Sequence, residues 1–465
     1  MLFVTIVTRI VATAKVAIQD PNTKHYTISV NLTPDSFEYL AFADKILTQA
    51  QFWDKARKPG YPIYLALIFF FFGKSNFLAI FLFNMTLAFV NSVLLWYLLR
   101  KYMCFPNIIA YTLGLISLFN LNIIMHETLV LTENYFITFI LCFLWSAFHY
   151  IKTNSLKSLL ISSLLLVILY FIKPAFILWG PAFILFLIFY KLACKNLYKK
   201  QLFSMMIVSI IWLFPILSWS TINYYETDIF SFSLETGPTS LIAKIYAYNF
   251  IDDIDSNLLG RNASVELERE KTPEGRQESY VFKFRKLIAA MEEDAIESGA
   301  DTSLKKVYDQ KNKIVSTVLK KRWKDYIGYT IAAIPISFNQ YFIYFKDGYL
   351  SNSIEKSVLW KINHLFFQSL YNNLYLLFSI SIIIIITYCY IFQRRLLPYY
   401  ILSMYIIFYN NIIAVMFTPH YWGRYRIPVE ILIFTLIYIS IIFLCHLLYK
   451  SIFFLINHKK FLLKE

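Results

Sequence analysis

The 465-residue chain has only five cysteines, Cys104, Cys142, Cys194, Cys389 and Cys445, all in or beside apolar runs and none at a paired spacing. This excludes a disulfide framework and a zinc site and leaves them as small packing residues. The chain also lacks the alternating apolar and polar pattern of a membrane β-barrel, because its hydrophobic runs are long and unbroken. No basic soluble segment stands apart, so the net charge of +15 gives no reason to expect nucleic-acid binding. An inverted internal repeat, the mark of many transporters, is missing as well.

What is present is apolar surface. Hydrophobic residues make up 58% of the chain and aromatics 19%, and the mean hydropathy is +0.54. Runs of about 20 such residues read as transmembrane helices, whose backbone groups must be satisfied within each segment. The expected fold class is therefore an all-α polytopic membrane protein. We count ten spans: Met1 to Ile18, Phe77 to Leu99, Ile108 to Met125, Leu129 to Tyr150, Leu159 to Ile172, Ala175 to Tyr190, Leu202 to Ile222, Leu374 to Phe392, Tyr399 to Phe417 and Val429 to Leu448. The first is interrupted by Arg9 and Lys15 and has no small-residue cleavage site, so it reads as a span, or a truncated one, rather than a cleaved leader. Tyr61 to Phe72 is too short to span alone. Lys and Arg cluster in alternate short loops and in the C-terminal tail, which places those segments in the cytoplasm.

Three regions follow. Residues 1–222 form an N-terminal transmembrane region whose first external loop is 19–60. Residues 223–371 hold a highly charged external insert, with helices expected over Glu278 to Ser298 and Ser303 to Trp323. Its last part, Ile327 to Phe345, carries Pro335, Asn339 and Gln340 and reads as interfacial or re-entrant. Residues 372–465 supply the last spans and a basic cytoplasmic tail.

In the first external loop, Thr33 is an N-cap with Pro34 at the first helical position. Phe37, Leu40, Ala41 and Leu47 recur at helical spacing and give a face suited to the bilayer surface. Asp35 falls in the first turn, where the helix dipole favours a carboxylate. Shortly after come Arg57-Lys58-Pro59-Gly60-Tyr61-Pro62, a basic, proline-bracketed turn. The loop charges bring Asp35, Arg57, Lys58, His126, Glu127, Glu133 and Lys173 to the extracytoplasmic face.

These residues, with Asp35-Ser36-x-x-Tyr39, Leu131-Thr132-Glu133, Lys173-Pro174, Asn223-Tyr224-Tyr225 leading to Gly237, and Arg424-Tyr425-Arg426-Ile427-Pro428, occur in a familiar order. Together they resemble the GT-C membrane glycosyltransferases, nearest to the protein mannosyltransferase and aminoarabinose lipid A transferase type (glycosyltransferase families 39 and 83). The resemblance runs from Asp35 to about Pro428 outside the charged insert. It implies a GT-C-type helix bundle with surface helices in the first external loop and a polyprenyl-phosphate-linked sugar as donor. It also implies a catalytic role for Asp35. The chain departs at Ser36, where many members have a second acidic residue.

Sugar transfer from a lipid phosphate needs a base for the acceptor hydroxyl and cations for the departing phosphate. Asp35 is the candidate base, the alternative being an ordinary helix-start carboxylate. Arg57 and Lys58 are candidate phosphate ligands, against interfacial snorkelling. Lys173, Arg424 and Arg426 join them, against interhelical pairing for the first and a membrane-flank role for the other two. Tyr39, Tyr61, Glu133, His126 and Tyr425 are candidate substrate-binding residues. His126-Glu127 supplies too few ligands for a metal centre, so no metal ligands are assigned, and a divalent metal cofactor is left open. Partners are then the lipid-linked sugar, membrane lipids and an acceptor (lipid, glycan or protein) that the chain does not identify. The rival readings are an O-antigen polymerase or ligase, and a transporter, which would bury charges near mid-depth.

Overall fold

The computed structural model describes residues 1–6, 18–19, 26–27, 32–120, 123–124, 126, 129–193, 199–234, 236–272, 280–298, 303–339, 369–417 and 422–462. A two-residue antiparallel pairing, Ile18–Gln19 with Tyr26–Thr27, is the only sheet among them. The rest is helical. Helix α1 (Pro34–Gln49) precedes α2 (Gly60–Phe72), α3 (Phe77–Lys101), α4 (Asn107–Ser117), α5 (Glu133–Thr153) and α6 (Leu156–Ile172). A 3-10 turn, Pro174–Leu178, leads into α7 (Trp179–Ala193), and α8 (Lys199–Thr227) follows. The insert holds α9 (Thr236–Ala247), α10 (Arg261–Lys271), α11 (Tyr280–Glu297) and α12 (Ser303–Asn339). The chain closes with α13 (Leu374–Phe392), α14 (Leu397–Phe417) and α15 (Trp422–Leu462).

Among the described residues seven helices are long and apolar enough to cross a membrane: Phe77–Lys101, Glu133–Thr153, Pro174–Ala193, Leu202–Thr227, Leu374–Phe392, Arg394–Ile413 and Val429–Ser451. The chain is thus a multi-pass membrane protein with an all-helical bundle. Three further apolar helices, α2, α4 and α6, are shorter. One expectation changes here. The run Ile108 to Met125 does not continue as one helix, because α4 stops at Ser117 and a turn follows at Leu118–Phe119. Helix α12 runs from Ser303 to Asn339 as two helical stretches joined across a kink at Arg322, with Pro335 inside the second. Its end packs Phe338 against Phe378, ring centroids 5.4 Å apart, and so reaches the C-terminal spans. Most of the expected first span lies outside the described residues.

Some polar side chains within the bundle pair with groups on neighbouring helices. The Asn91 amide donates to Asn134 Oδ1 at 3.1 Å, and the Asn134 amide donates to the Asn84 carbonyl at 2.6 Å. This ladder ties α3 to α5. The insert has a core of its own, built from Ile242, Phe250, Leu267, Leu287, Met291 and Ile314 among others. Helix α10 there is capped from a distance: the Asp294 carboxylate of α11 accepts from the Asn262 and Ala263 backbone N–H groups at 2.8 and 2.9 Å. Gly260 makes room for it, since a Cβ there would sit 2.4 Å from that carboxyl group.

The contact that most constrains the first external loop is at Gly60. A Cβ at this residue would lie 2.7 Å from the Phe171 carbonyl carbon and oxygen and 2.9 Å from the Ile172 nitrogen, all backbone atoms. The start of α2 therefore lies directly on the end of α6, and nothing flexible can yield. Gly60→Ala should lose about 1–3 kcal/mol to overpacking, seen as a lower midpoint in thermal denaturation of the detergent-purified protein.

Candidate active site

The N-terminus of α1 is built by a reciprocal capping box. Thr33 Oγ1 accepts from the Ser36 N–H at 3.3 Å, and Ser36 Oγ accepts from the Thr33 N–H at 2.9 Å. Ser36 is fully buried. Its hydroxyl thus satisfies a backbone donor that the helix would leave open, which is a structural reason for serine at this position. With Pro34 at the first helical position, the cap orients Asp35 and Glu38, one turn apart, on the same side of the helix.

Arg57 grips both carboxylates. Its Nη2 donates to Asp35 Oδ1 at 2.6 Å and its Nε donates to Glu38 Oε2 at 2.6 Å. Nη1 donates to the Tyr39 hydroxyl at 3.4 Å, and the guanidinium lies 4.7 Å from the Tyr39 ring centre. Every nitrogen of the guanidinium is used. Burial opposes its charge, but Tyr39, Asp35 and Glu38 more than compensate and raise its pKa above the ordinary value. Asp54 shapes the turn that delivers it: Oδ1 accepts from the Ala56 and Arg57 N–H groups at 2.9 and 3.3 Å, and Oδ2 receives Lys45 Nζ at 3.0 Å. Burial would raise the Asp54 pKa, and these hydrogen bonds with Lys45 bring it below the ordinary value.

Lys58 turns to different partners. Its amine sits 4.4 Å from the Trp219 ring centre and 5.2 Å from that of Tyr170, and it makes no hydrogen bond among the described residues. The side chain is buried. Arg57 and Lys58, adjacent in sequence, therefore occupy unlike environments, an ion cluster and an aromatic slot. Lys173, three residues beyond Tyr170, donates to Glu133 Oε1 at 3.2 Å and faces the Phe136 ring at 5.4 Å. Glu133 is 1% exposed and opens α5, where the helix dipole favours its charge. Tyr61 is fully buried and joins these groups: its ring packs edge-on to Tyr39 at 5.1 Å and near Tyr135 at 6.0 Å.

Asp35, Tyr39, Arg57, Tyr61, Lys58, Glu133 and Lys173 thus lie along one connected set of contacts through α1, α2, α5, α6 and α8. His126 is buried in the connection between α4 and α5, with its carbonyl accepting from the Leu129 N–H at 3.3 Å. Arg424, Tyr425 and Arg426 lie on the first turns of α15, and their side chains are outside the described residues. Glu127 also lies outside them. Among the described residues no three His, Cys, Asp or Glu side chains come together as a metal site; Arg57 takes Asp35 and Glu38 of α1, and Lys74 takes Asp44.

Four residues were passed over in the sequence. Glu38 had a local signal, its place one turn after Asp35. Asp54 and Trp53 had none, and neither had Glu430. That last carboxylate is fully buried and accepts from the Tyr371 hydroxyl at 2.8 Å and the Asn120 amide at 3.3 Å.

The Lys58 amine has a pH signature. Burial lowers its pKa to about 6 from 10.5. A folded-state value below the unfolded one means that the unfolded chain holds more protons between those limits, so stability rises with pH there, by about 1.4 kcal/mol per unit at most. Lys58→Met should therefore melt higher than the parent at pH 7, and the gap should close as the pH approaches 10.5. A melting series in detergent across that range checks it.

Residues 54–219 match the family described as dolichyl-phosphate-mannose-protein mannosyltransferase. That stretch contains Arg57, Lys58, Tyr61, His126, Glu133 and Lys173, and Asp35 precedes it. No curated protein matches. A solved structure, the archaeal oligosaccharyltransferase AglB from Archaeoglobus fulgidus in complex with an inhibitory peptide and a dolichol-phosphate, is similar at 10% identity with a TM-score of 0.43. The alignment covers 97% of this chain and 51% of that one, so the chain spans about half the length of that structure. The resemblance to the GT-C membrane glycosyltransferases read from the motifs holds, and the family match that carries it runs from residue 54 to residue 219.

Proposed function

We propose that the protein is an integral membrane glycosyltransferase that moves a sugar from a polyprenyl-phosphate carrier to an acceptor hydroxyl at the extracytoplasmic face. The observation that carries this reading is the Arg57 clamp: a guanidinium suited to bidentate phosphate contact is held against a carboxylate suited to act as base. The similarity of residues 54–219 to the dolichyl-phosphate-mannose-protein mannosyltransferase family supports the choice of donor.

In this mechanism the acceptor oxygen attacks the anomeric carbon as the bond from that carbon to the phosphate oxygen breaks. The phosphate leaves with the bonding electron pair, Asp35 takes the acceptor proton, and the anomeric centre inverts. Phosphate is already a good leaving group, so no acid is required. Cations stabilise the charge that gathers on it. Each Arg57 nitrogen already holds one partner, but Nη1 and Nη2 each carry a second N–H, so a phosphate can be met there or in exchange for a carboxylate. Phosphate taking the place of Asp35 at Arg57 would break the ion pair at Asp35 Oδ1, so base and cation would be uncoupled from each other together. Glu38 remains as the second partner of Arg57 and keeps it in place. Lys173 is tied to Glu133, and the pair contributes a buried polar wall rather than a mobile cation.

Purified protein supplied with a polyprenyl-phosphate sugar tests this. Asp35→Asn should lower turnover by about 10²–10⁴-fold, the range for loss of a positioned base, with donor binding retained. Near-normal transfer by that variant would remove Asp35 as the base. Arg57→Lys, which cannot hold two groups in a planar fork, should weaken donor binding as well as turnover, read as a rise in the donor KM with a fall in kcat.

A further inference from the structure

The segment that carries Arg57 is held down by a single face of α8. Trp219 and Asn223 are one turn apart on that helix. Trp219 lies against the Lys58 amine, and the Asn223 Oδ1 accepts from Trp53 Nε1 at 2.9 Å. The other end of the same amide is also engaged: Asn223 Nδ2 donates to the Ser231 carbonyl at 2.7 Å. Ser231 lies in the connection from α8 into the insert, and its hydroxyl accepts from the Tyr308 hydroxyl of α12 at 2.9 Å. Asn223 is 1% exposed. A continuous line of hydrogen bonds therefore runs from the insert through Ser231 and Asn223 to Trp53. Asp54, the next residue, holds the Arg57 backbone.

The placement is informative because an amide presents two unlike ends. With Oδ1 committed to the Arg57 segment and Nδ2 committed to the insert, neither partner can move away without leaving a buried polar atom unmet. Asn223 opens the Asn223-Tyr224-Tyr225 motif, which the transfer mechanism does not otherwise use. We propose that Asn223 is a positioning residue that couples the seating of the charged insert to the geometry of the Arg57 clamp. This rests on Asp35 and Arg57 being the reacting groups.

The test uses the full chain in a cysteine-free background, with a nitroxide label on a cysteine at the exposed position 55. Trp53→Phe and Tyr308→Phe each remove one hydrogen bond; the second keeps its ring, and the first replaces the indole with a smaller aromatic ring. Both should raise the mobility of the label, although Tyr308 is in the insert. Each should lower turnover roughly fivefold, the rate equivalent of one hydrogen bond. The double variant should be no slower than the slower single, because the line is already cut. A label unaffected by Tyr308→Phe would overturn the coupling, and so would losses that multiply in the double variant. Raised mobility with unchanged turnover would overturn the positioning role. Asp35→Asn, measured alongside, separates the two failures: loss of transfer there leaves the reading of Asp35 standing, and retained transfer faults that reading instead.

Discussion

The ion cluster at Arg57 is the constraint on which the site depends. A guanidinium this enclosed needs opposite charge at close range, and a single residue would leave part of its fork unmet. Two carboxylates one turn apart on α1 supply it, and they sit at the helix end where the macrodipole also favours negative charge. The helix presents them because its first turn is closed by the Thr33–Ser36 cap. The turn presents Arg57 because Asp54 takes its backbone N–H and that of Ala56. Loop and helix are thereby locked to each other, and Gly60 locks the loop to α6. The elements that position the chemistry are few and are each fixed by a short-range contact.

Three cations close to this region are held in three ways, and the differences sort them. Arg57 is neutralised by two carboxylates and can exchange one for a phosphate. Lys173 has one buried carboxylate, and drawing it off would strand Glu133 without its cation in an apolar setting, which is expensive. Lys58 has no carboxylate and is held in the slot by ring faces, which favour a cation only modestly beside the desolvation it suffers. An entering anion would change Lys58 the most, since it would bring the counter-charge that the slot lacks. It would cost Lys173 the most. The ordering follows from what each cation would have to give up, rather than from where it falls in the chain.

Much of the fold was legible because its signals are local. The long apolar runs, the cap at Thr33-Pro34 and the basic helix ends are readable within a few residues, and the helices found at Phe77–Lys101, Glu133–Thr153 and Leu374–Phe392 follow them. Ser36 has two aspects: against the family motif it is a missing acid, and in the helix it is the partner of Thr33 and completes the cap. The connections that escaped are those between distant parts of the chain: Trp53 with Asn223, Asn120 with Glu430, Asp294 with the start of α10. Each is specified by tertiary placement, and no periodicity announces it. The packing of Phe338 against α13, at the end of α12, is a related case.

The short apolar helices explain how charged residues come to lie within a hydrophobic bundle. At 1.5 Å per residue the 13 residues of α2 reach about 20 Å, the 11 of α4 about 16 Å and the 17 of α6 about 25 Å, all less than the roughly 30 Å hydrocarbon layer. Each borders a segment that carries a candidate site residue. Lys58 comes just before α2, His126 follows α4, and Lys173 ends α6. Irregular backbone beside an apolar helix is tolerated in a lipid setting only where protein buries it. The ring contacts of Tyr39, Tyr61 and Tyr135, and the slot formed by Tyr170 and Trp219, provide that burial. Part of the chain's abundance of aromatic residues is thus used around these charged groups. It seals a charged site into a fold whose short helices were needed to make room for it.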